Sequence, residues 1–149
     1  MRLTVAAVGR ARGGPVRTLF DDYAGRLPWQ VRLQEIAEAD GPQRKTREGE
    51  KLLAAIPDGA VLVALDEHGK VFDSRQLAGW VGKQRDEGQR DLAFIIGGAD
   101  GLAEPVLKKA GLILSLGALT WPHMMVRAML MEQIYRAHTI LTGHPYHRD

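Results

Sequence analysis

Residues 92–102 read Leu-Ala-Phe-Ile-Ile-Gly-Gly-Ala-Asp-Gly-Leu, an apolar run that ends directly in a glycine-rich segment. The run does not alternate between apolar and polar residues, which is typical of a strand covered on both faces of a parallel sheet. Glycines at the carboxyl end of such a strand let a ligand approach the backbone, and open α/β sheets bind ligands at that edge. A tight turn uses glycine in the same way, so this stretch alone leaves a ligand site and a plain turn equally open.

Four further apolar runs, at 3–8, 31–36, 61–65 and 112–116, predict the other strands of the same sheet. Helical patterns lie between them. They predict helices over 15–27, with Pro15 in the first turn, over 46–56, over 103–110 and over 122–141. A further helix, between the second and third of these, is predicted to begin after an N-cap at Asp73 or Ser74. Because strands and helices alternate throughout, the sequence predicts an α/β fold: a single domain over 1–149 with a mostly parallel sheet flanked by helices.

The composition is that of an ordinary folded domain, with 149 residues, 45% hydrophobic and 26% charged. The absence of cysteine excludes a disulfide scaffold, a thiolate metal site and a cysteine nucleophile. A net charge of +2 permits a nucleic-acid partner but does not support tight non-specific RNA binding through many phosphates. The first apolar run is too short for a secretory signal, and the uncharged stretch 110–126 is interrupted by glycine, proline and histidine, so we expect a soluble, cytoplasmic protein.

The last predicted helix is apolar on nearly all sides and rich in methionine. Its polar residues form only a narrow stripe: Arg127, Glu132, Gln133, Arg136 and His138. Since surface helices of an α/β domain normally keep one solvated face, this pattern favours a symmetric homodimer formed through the helix. A central core helix, or flexible methionine filling, would explain the same pattern.

Two loops and the C-terminal tail carry the candidate chemistry. The segment 114–123 has few side-chain donors and many free backbone groups, which suits an adenine ring, although a buried connecting loop has the same composition. The segment 9–14 lacks the spacing of a dinucleotide or P-loop motif, so an ordinary loop is favoured. Its Arg10 and Arg12 could contact RNA phosphate, but solvated loop charges are the commoner case. The tail 143–149 offers groups for proton transfer, base stacking and phosphate or carbonyl contact. Its two histidines flank Pro145 and lack further ligands, so no metal site is expected.

Several motifs together resemble one family. They are Phe-Ile-Ile-Gly-Gly-Ala-Asp-Gly-Leu at 94–102, Leu-Gly-Ala-Leu-Thr-Trp-Pro-His at 116–123, Val-Arg at 126–127, Glu-Gln-Ile-Tyr-Arg-Ala at 132–137 and His-Pro-Tyr-His-Arg at 144–148. They resemble the ribosomal large subunit methyltransferase H family of the SPOUT class, over the whole length of the chain. The resemblance implies a homodimer with a C-terminal trefoil knot, which methylates N3 of a pseudouridine in a 23S rRNA stem-loop on the assembled ribosome and uses S-adenosylmethionine.

The resemblance also implies which residues bind the cofactor, largely through backbone groups: Leu65, Gly97, Leu116, Gly117, Ala118, Leu119, Thr120 and Trp121. For the reaction, our hypothesis gives His144, or a water that it holds, the role of base. It gives Arg148 the contact with the uracil carbonyl or with phosphate, and Tyr146 the positioning of the target nucleobase. A non-catalytic ribosome-binding factor is the alternative, and a nucleotide-dependent oxidoreductase is disfavoured because no dinucleotide fingerprint follows the first strand.

Overall fold

The computed structural model describes residues 1–149. In chain order the elements are β1 (Arg2–Val8), α1 (Pro15–Arg26), β2 (Gln30–Ile36), α2 (Arg44–Ala54), β3 (Val61–Val71), α3 (Ser74–Asp86), β4 (Asp91–Ile96), α4 (Glu104–Lys109), β5 (Leu112–Ser115) and α5 (His123–Thr142). The strands form one sheet in the order β2-β1-β4-β3-β5, and every neighbouring pair is parallel. The predicted α/β class, with a parallel sheet flanked by helices, is confirmed.

Helices cover both faces of the sheet, which explains why its central strands are continuous apolar runs. On one face, Phe94 and Val63 pack with side chains of α1, α3 and α5, while on the other, Ala93 and Ile95 pack with side chains of α2 and α4. Successive residues of β4 therefore enter opposite halves of the core. The edge strand β2 is only partly buried.

β3 differs from the prediction because it continues past Leu65 to Val71. The pairing register with β5 shifts between Leu65 and Lys70, and residues 66–69 form a bulge. A Cβ atom at Gly69 would lie only 2.6 Å from the carbonyl oxygen of Ile113, so glycine permits this close approach of the two strands. The C-terminal trefoil knot stays a prediction.

α5 packs between α1 and α3, and this packing covers most of its apolar surface within the chain. Among the large apolar side chains of α5, Met125 is the exposed one, at 44%. The alternative of a central helix therefore accounts for most of the apolar pattern, and the homodimer needs support from other surfaces. Arg127, expected in the polar stripe, is 2% exposed. None of the helices, α5 included, is long and apolar enough to cross a membrane.

Candidate ligand-binding site at the carboxyl edge of the sheet

A cavity of about 800 Å³ opens at the carboxyl edge of the sheet, in the size range of small-molecule sites. Three segments that follow parallel strands form most of its wall: 65–68 after the regular part of β3, 96–102 after β4 and 116–123 after β5. The two loops that the sequence singled out separately, around Gly97 and around Trp121, thus border one space. Both loops are walls of a cavity rather than isolated connections.

Seven of the eight residues expected to bind a cofactor line this cavity: Leu65, Gly97, Leu116, Gly117, Leu119, Thr120 and Trp121. The eighth, Ala118, is exposed in the same turn and is absent from the lining. The predicted set is therefore brought together in space, although its members come from three different strand ends.

Backbone geometry holds the two loops in place. A Cβ atom at Gly97 would lie 2.8 Å from the backbone carbon and oxygen of Gly101, so the turn closes on itself at a distance that only glycine allows. In the second loop, the N–H of Gly117 donates to Ser115 Oγ at 3.1 Å, and the Trp121 indole N–H donates to the carbonyl of Leu116 at 3.3 Å. The loops present backbone groups to the cavity from fixed positions.

The charge of the cavity wall was not foreseen from the sequence. Four carboxylates line it, from Asp66, Glu67, Asp100 and Glu104, against the single lysine Lys45. A wall with this balance disfavours phosphate-rich ligands and suits a ligand that carries positive charge. Asp66 and Glu67 reach the cavity through the β3 bulge, which no local pattern announced.

Beside the cavity, a buried ion pair fixes the segment that follows β1. The Arg127 guanidinium donates through Nη2 to the carbonyls of Val8 and Gly9, at 3.0 and 2.7 Å, and through Nη1 to Glu35 Oε2 at 2.8 Å. The same Oε2 atom accepts the backbone N–H of Ala11 at 2.6 Å. We call this arrangement the Arg127–Glu35 clamp.

Opposing effects act on the Glu35 carboxylate. Its partial burial raises the pKa. The N–H of Ala11 and the guanidinium groups of Arg127 and Arg17 together lower the pKa by more than burial raises it, so the pKa of Glu35 lies below its ordinary value. The carboxylate is therefore ionised at neutral pH. Its contribution to stability is present above the ordinary glutamate pKa and is lost as the pH falls through the depressed value.

We expect Arg127→Met to lower the free energy of unfolding by about 3 kcal/mol, because it removes the side-chain donor of the Val8 and Gly9 carbonyls and the closest cation of the Glu35 carboxylate. Urea unfolding at pH 7 measures this. The matched control is Arg85→Met, whose guanidinium pairs with Asp86 on the surface and whose removal should cost less than about 1 kcal/mol. Equal destabilisation by the two substitutions would contradict the role given to the clamp.

The tail folds against helices of its own chain. The Tyr146 hydroxyl donates to Glu132 Oε1 at 2.9 Å and lies 3.3 Å from the Tyr23 hydroxyl, while its ring packs edge-on against Tyr135 and beneath the Arg136 guanidinium. Burial, together with these two hydroxyl contacts, raises the pKa of Tyr146 far above its ordinary value. The phenol therefore favours the protonated form, which fits a positioning role.

Other tail residues are anchored in a similar way. The Asp149 carboxylate accepts two hydrogen bonds from Arg75, at 2.7 and 2.8 Å, and lies 3.0 Å from His147 Nε2; these contacts lower the pKa of Asp149 to about 2. His144 is exposed, and its Nδ1 atom accepts the N–H of Tyr146 at 3.2 Å. A neutral His144 imidazole in this arrangement carries its proton on Nε2 and offers a donor. Neither His144, Tyr146 nor the exposed Arg148 lines the cavity of the same chain.

A second, mainly apolar cavity of about 600 Å³ adjoins the first. It shares Leu116 and Gly117 with the first cavity, and its wall includes Glu132, the residue that holds Tyr146. Exposed apolar side chains line the two adjoining cavities: Leu119 and Trp121 line the first, and Leu19 and Val71 line the second. Val71 and Leu119 are each 71% exposed. Such a patch is typical of an interaction surface.

A parallel α/β sheet with a ligand-sized cavity at its carboxyl edge defines an open α/β protein that holds a small molecule against backbone loops. The family described as "Predicted SPOUT methyltransferase" matches residues 1–147, and the chain belongs to this SPOUT methyltransferase family. The family resemblance found in the sequence is thereby confirmed.

Curated relatives match over the full length. The ribosomal RNA large subunit methyltransferase H of Rhodospirillum centenum is 56% identical over 151 residues, covering 99% of each chain. Proteins of the same name from Paramagnetospirillum magneticum and Rhodospirillum rubrum are 53% and 51% identical, covering 99% and 100% of each chain.

Solved structures share the fold at low sequence identity. A "probable methylase family protein" from Haemophilus influenzae superposes with a TM-score of 0.58 at 10% identity, covering 99% of this chain and 70% of that one. A SpoU methyltransferase from Streptomyces viridochromogenes gives a TM-score of 0.50 at 16% identity, covering 95% of this chain and 61% of that one.

Proposed function

We propose that the protein methylates RNA of the large ribosomal subunit, at N3 of a pseudouridine in 23S rRNA, with S-adenosylmethionine as methyl donor. One observation carries the proposal. The loops 97–102 and 116–122 enclose a single cavity, in a chain that shares more than half its residues with proteins named ribosomal RNA large subunit methyltransferase H. Action on ribosomes would place the protein in the cytoplasm.

The residues of the cavity fit S-adenosylmethionine. This cofactor, when bound, supplies an electrophilic methyl group on a positively charged sulfur. The adenosine part of the cofactor would find apolar walls and backbone groups at Leu65, Leu116 and the second loop around Trp121. The excess of carboxylates, among them Asp66 and Asp100, suits the positive charges of the sulfonium and amino groups better than the phosphates of a dinucleotide.

Methylation at N3 requires loss of the N3 proton, because a neutral imide nitrogen is a poor nucleophile. We assign this step to His144 or a water that it holds. For the imidazole itself to take the proton, the hydrogen bond from the Tyr146 N–H to Nδ1 must break, because either Nδ1 becomes the acceptor or the ring proton moves to Nδ1 and leaves Nε2 free. Arg148 is assigned to the negative charge that develops on the uracil carbonyl, and the protonated Tyr146 to positioning of the base.

The tail and the cavity belong together only if a second copy of the chain completes the site. A twofold interface brings the same patch of both copies face to face. The exposed side chains Leu19 and Val71 line the second cavity, whose wall includes the Tyr146 partner Glu132, while Leu119 and Trp121 line the first. A twofold interface across both cavities would thus bring the tail of one copy towards the cavity of the other. We therefore propose a homodimer with two composite sites.

Calorimetric titration with S-adenosylmethionine, followed by methyl transfer to ribosomes that lack the modification, tests the proposal. We expect one binding site per chain and the appearance of N3-methylpseudouridine by mass spectrometry of 23S rRNA. Absence of cofactor binding would overturn the assignment of the cavity and favour the non-catalytic ribosome-binding factor. Cofactor binding without methyl transfer to the ribosome would contradict the proposed substrate.

Assembled ribosomes should be methylated far better than the isolated 23S stem-loop. With a net charge of +2, the chain has few cations for non-specific contact, so its recognition of RNA depends on docking to the ribosome surface. Comparison of kcat/KM on the two substrates measures this. Equal values would contradict it.

A further inference from the structure

The Arg127–Glu35 clamp fixes the first half of a solvent-facing loop, residues 9–14, which we call the arginine loop. Three backbone groups at its start are held: the carbonyls of Val8 and Gly9 and the N–H of Ala11. The clamp places a nearly fully buried guanidinium beneath an exposed loop, which costs desolvation free energy. An ordinary connection between a strand and a helix does not need this degree of fixation.

The arginine loop carries two cations without partners. Arg10 and Arg12 flank the clamped Ala11, both are exposed, and neither forms an ion pair with a carboxylate. Two carboxylates lie near the loop, and both pair with other arginines: Glu35 with Arg127 and Arg17, and Glu38, which lies 3.6 Å from the Cβ position of Gly9, with Arg44 at 3.9 Å. The loop therefore presents two free guanidinium groups on either side of the clamped residue Ala11.

The arginine loop lies next to the cavity. Gly9 touches the first turn of α5, where the Met124 methyl and His123 Nε2 lie 3.0 and 3.7 Å from the position of an added Cβ atom. His123 itself lines the cavity. Because β1 lies beside β4 in the parallel sheet, the end of β1 reaches the same edge as Gly97.

We infer that the arginine loop binds the phosphodiester backbone of the substrate RNA through Arg10 and Arg12. The inference rests on the proposed RNA methyltransferase function and deepens it by naming a substrate contact. Guanidinium groups bind phosphate oxygens through paired donors, and phosphate contacts fix the register of a nucleic acid without reading its sequence. Two such contacts beside the cavity would orient the strand that delivers the target base.

The test is the double variant Arg10→Ala/Arg12→Ala. The matched control is Arg32→Ala/Arg90→Ala, which removes the same charge from exposed arginines outside the cavity wall. We expect affinity for the large ribosomal subunit to fall by about tenfold or more in the first variant and the salt dependence of binding to weaken by about two phosphate contacts. KM for the subunit should rise by a similar factor, with the Kd for S-adenosylmethionine unchanged.

The result that overturns the inference is equal subunit affinity and equal salt dependence in the two double variants. Binding and methylation are measured separately, so the proposed function is judged by the wild-type chain. A wild-type chain that binds the subunit without methylating it contradicts the proposed function, while the binding comparison still decides the role of the arginine loop. A wild-type chain that neither binds nor methylates overturns both.

Discussion

Gly97→Ala is expected to weaken the binding of S-adenosylmethionine by about 10- to 100-fold, measured by calorimetry. The added methyl group would lie 2.8 Å from the backbone of Gly101 and 3.1 Å from Leu102 Cδ2. Backbone atoms cannot yield as a flexible side chain can, so the loop must open, and overpacking of this kind costs about 1–3 kcal/mol. Since the displaced residues line the cavity, the cost falls on ligand binding as well as on folding.

The matched control is Gly79→Ala, in the interior of α3. No atom lies within 4 Å of the added methyl group there, and alanine is favoured over glycine in a helix by about 0.5–1 kcal/mol. The control should therefore stabilise the chain slightly and leave the cofactor affinity unchanged. Wild-type affinity in Gly97→Ala would show that this loop is not part of the binding site.

The order and type of the elements could be predicted from the sequence because each element has a strong local pattern. The central strands are continuous apolar runs, and of the two predicted N-cap candidates the structure selects Asp73, whose side chain accepts the backbone N–H of Gln76. The end of β3 could not be predicted in this way. Residues 66–70 include no apolar side chain, and Lys70 and Val71 remain in the sheet because β5 pairs with them after the bulge.

The candidate site could be predicted in part. Glycine and the Trp-Pro-His segment mark the two loops, because close backbone approach and abrupt chain reversal require unusual residues. The carboxylates of the β3 bulge and Lys45 of α2 have no local signal, since tertiary packing alone brings them to the cavity. The pairing of Arg127 with Glu35 joins residues 92 positions apart, and a helical pattern assigns that arginine to the solvated stripe.

The homodimer prediction drew on the apolar pattern of α5, and most of that pattern is explained within one chain. What supports the dimer in the structure is different: an exposed apolar patch, and a tail that is folded away from the cavity of its own chain. If each site combines the cavity of one chain with the tail of the other, two different inactive variants can form one active site in a mixed dimer. A site within one chain cannot be restored in this way.

We expect Arg148→Ala to lower turnover at saturating cofactor by about 100-fold, and His144→Ala to lower it by a smaller factor. Each substitution would remove a group that acts on the target pseudouridine.

In the composite site, the cavity of one chain works with the tail of its partner. A mixture of Arg148→Ala chains with Gly97→Ala chains then contains heterodimers in which an intact cavity meets an intact tail. Near-normal turnover in both tail variants would refute the assignment of the tail.

Equal mixing after dissociation and reassembly should restore about a quarter of wild-type activity at limiting cofactor, because half of the dimers are mixed and each mixed dimer has one complete site. A second mixture combines the wild-type chain with a chain that carries both substitutions, and here the composite site predicts a loss of activity. In a heterodimer with the wild-type chain, the doubly substituted chain spoils both composite sites and so inhibits the wild-type chain. If tail and cavity act within one chain, the first mixture recovers nothing and the second retains the wild-type site, so the two arrangements give opposite results.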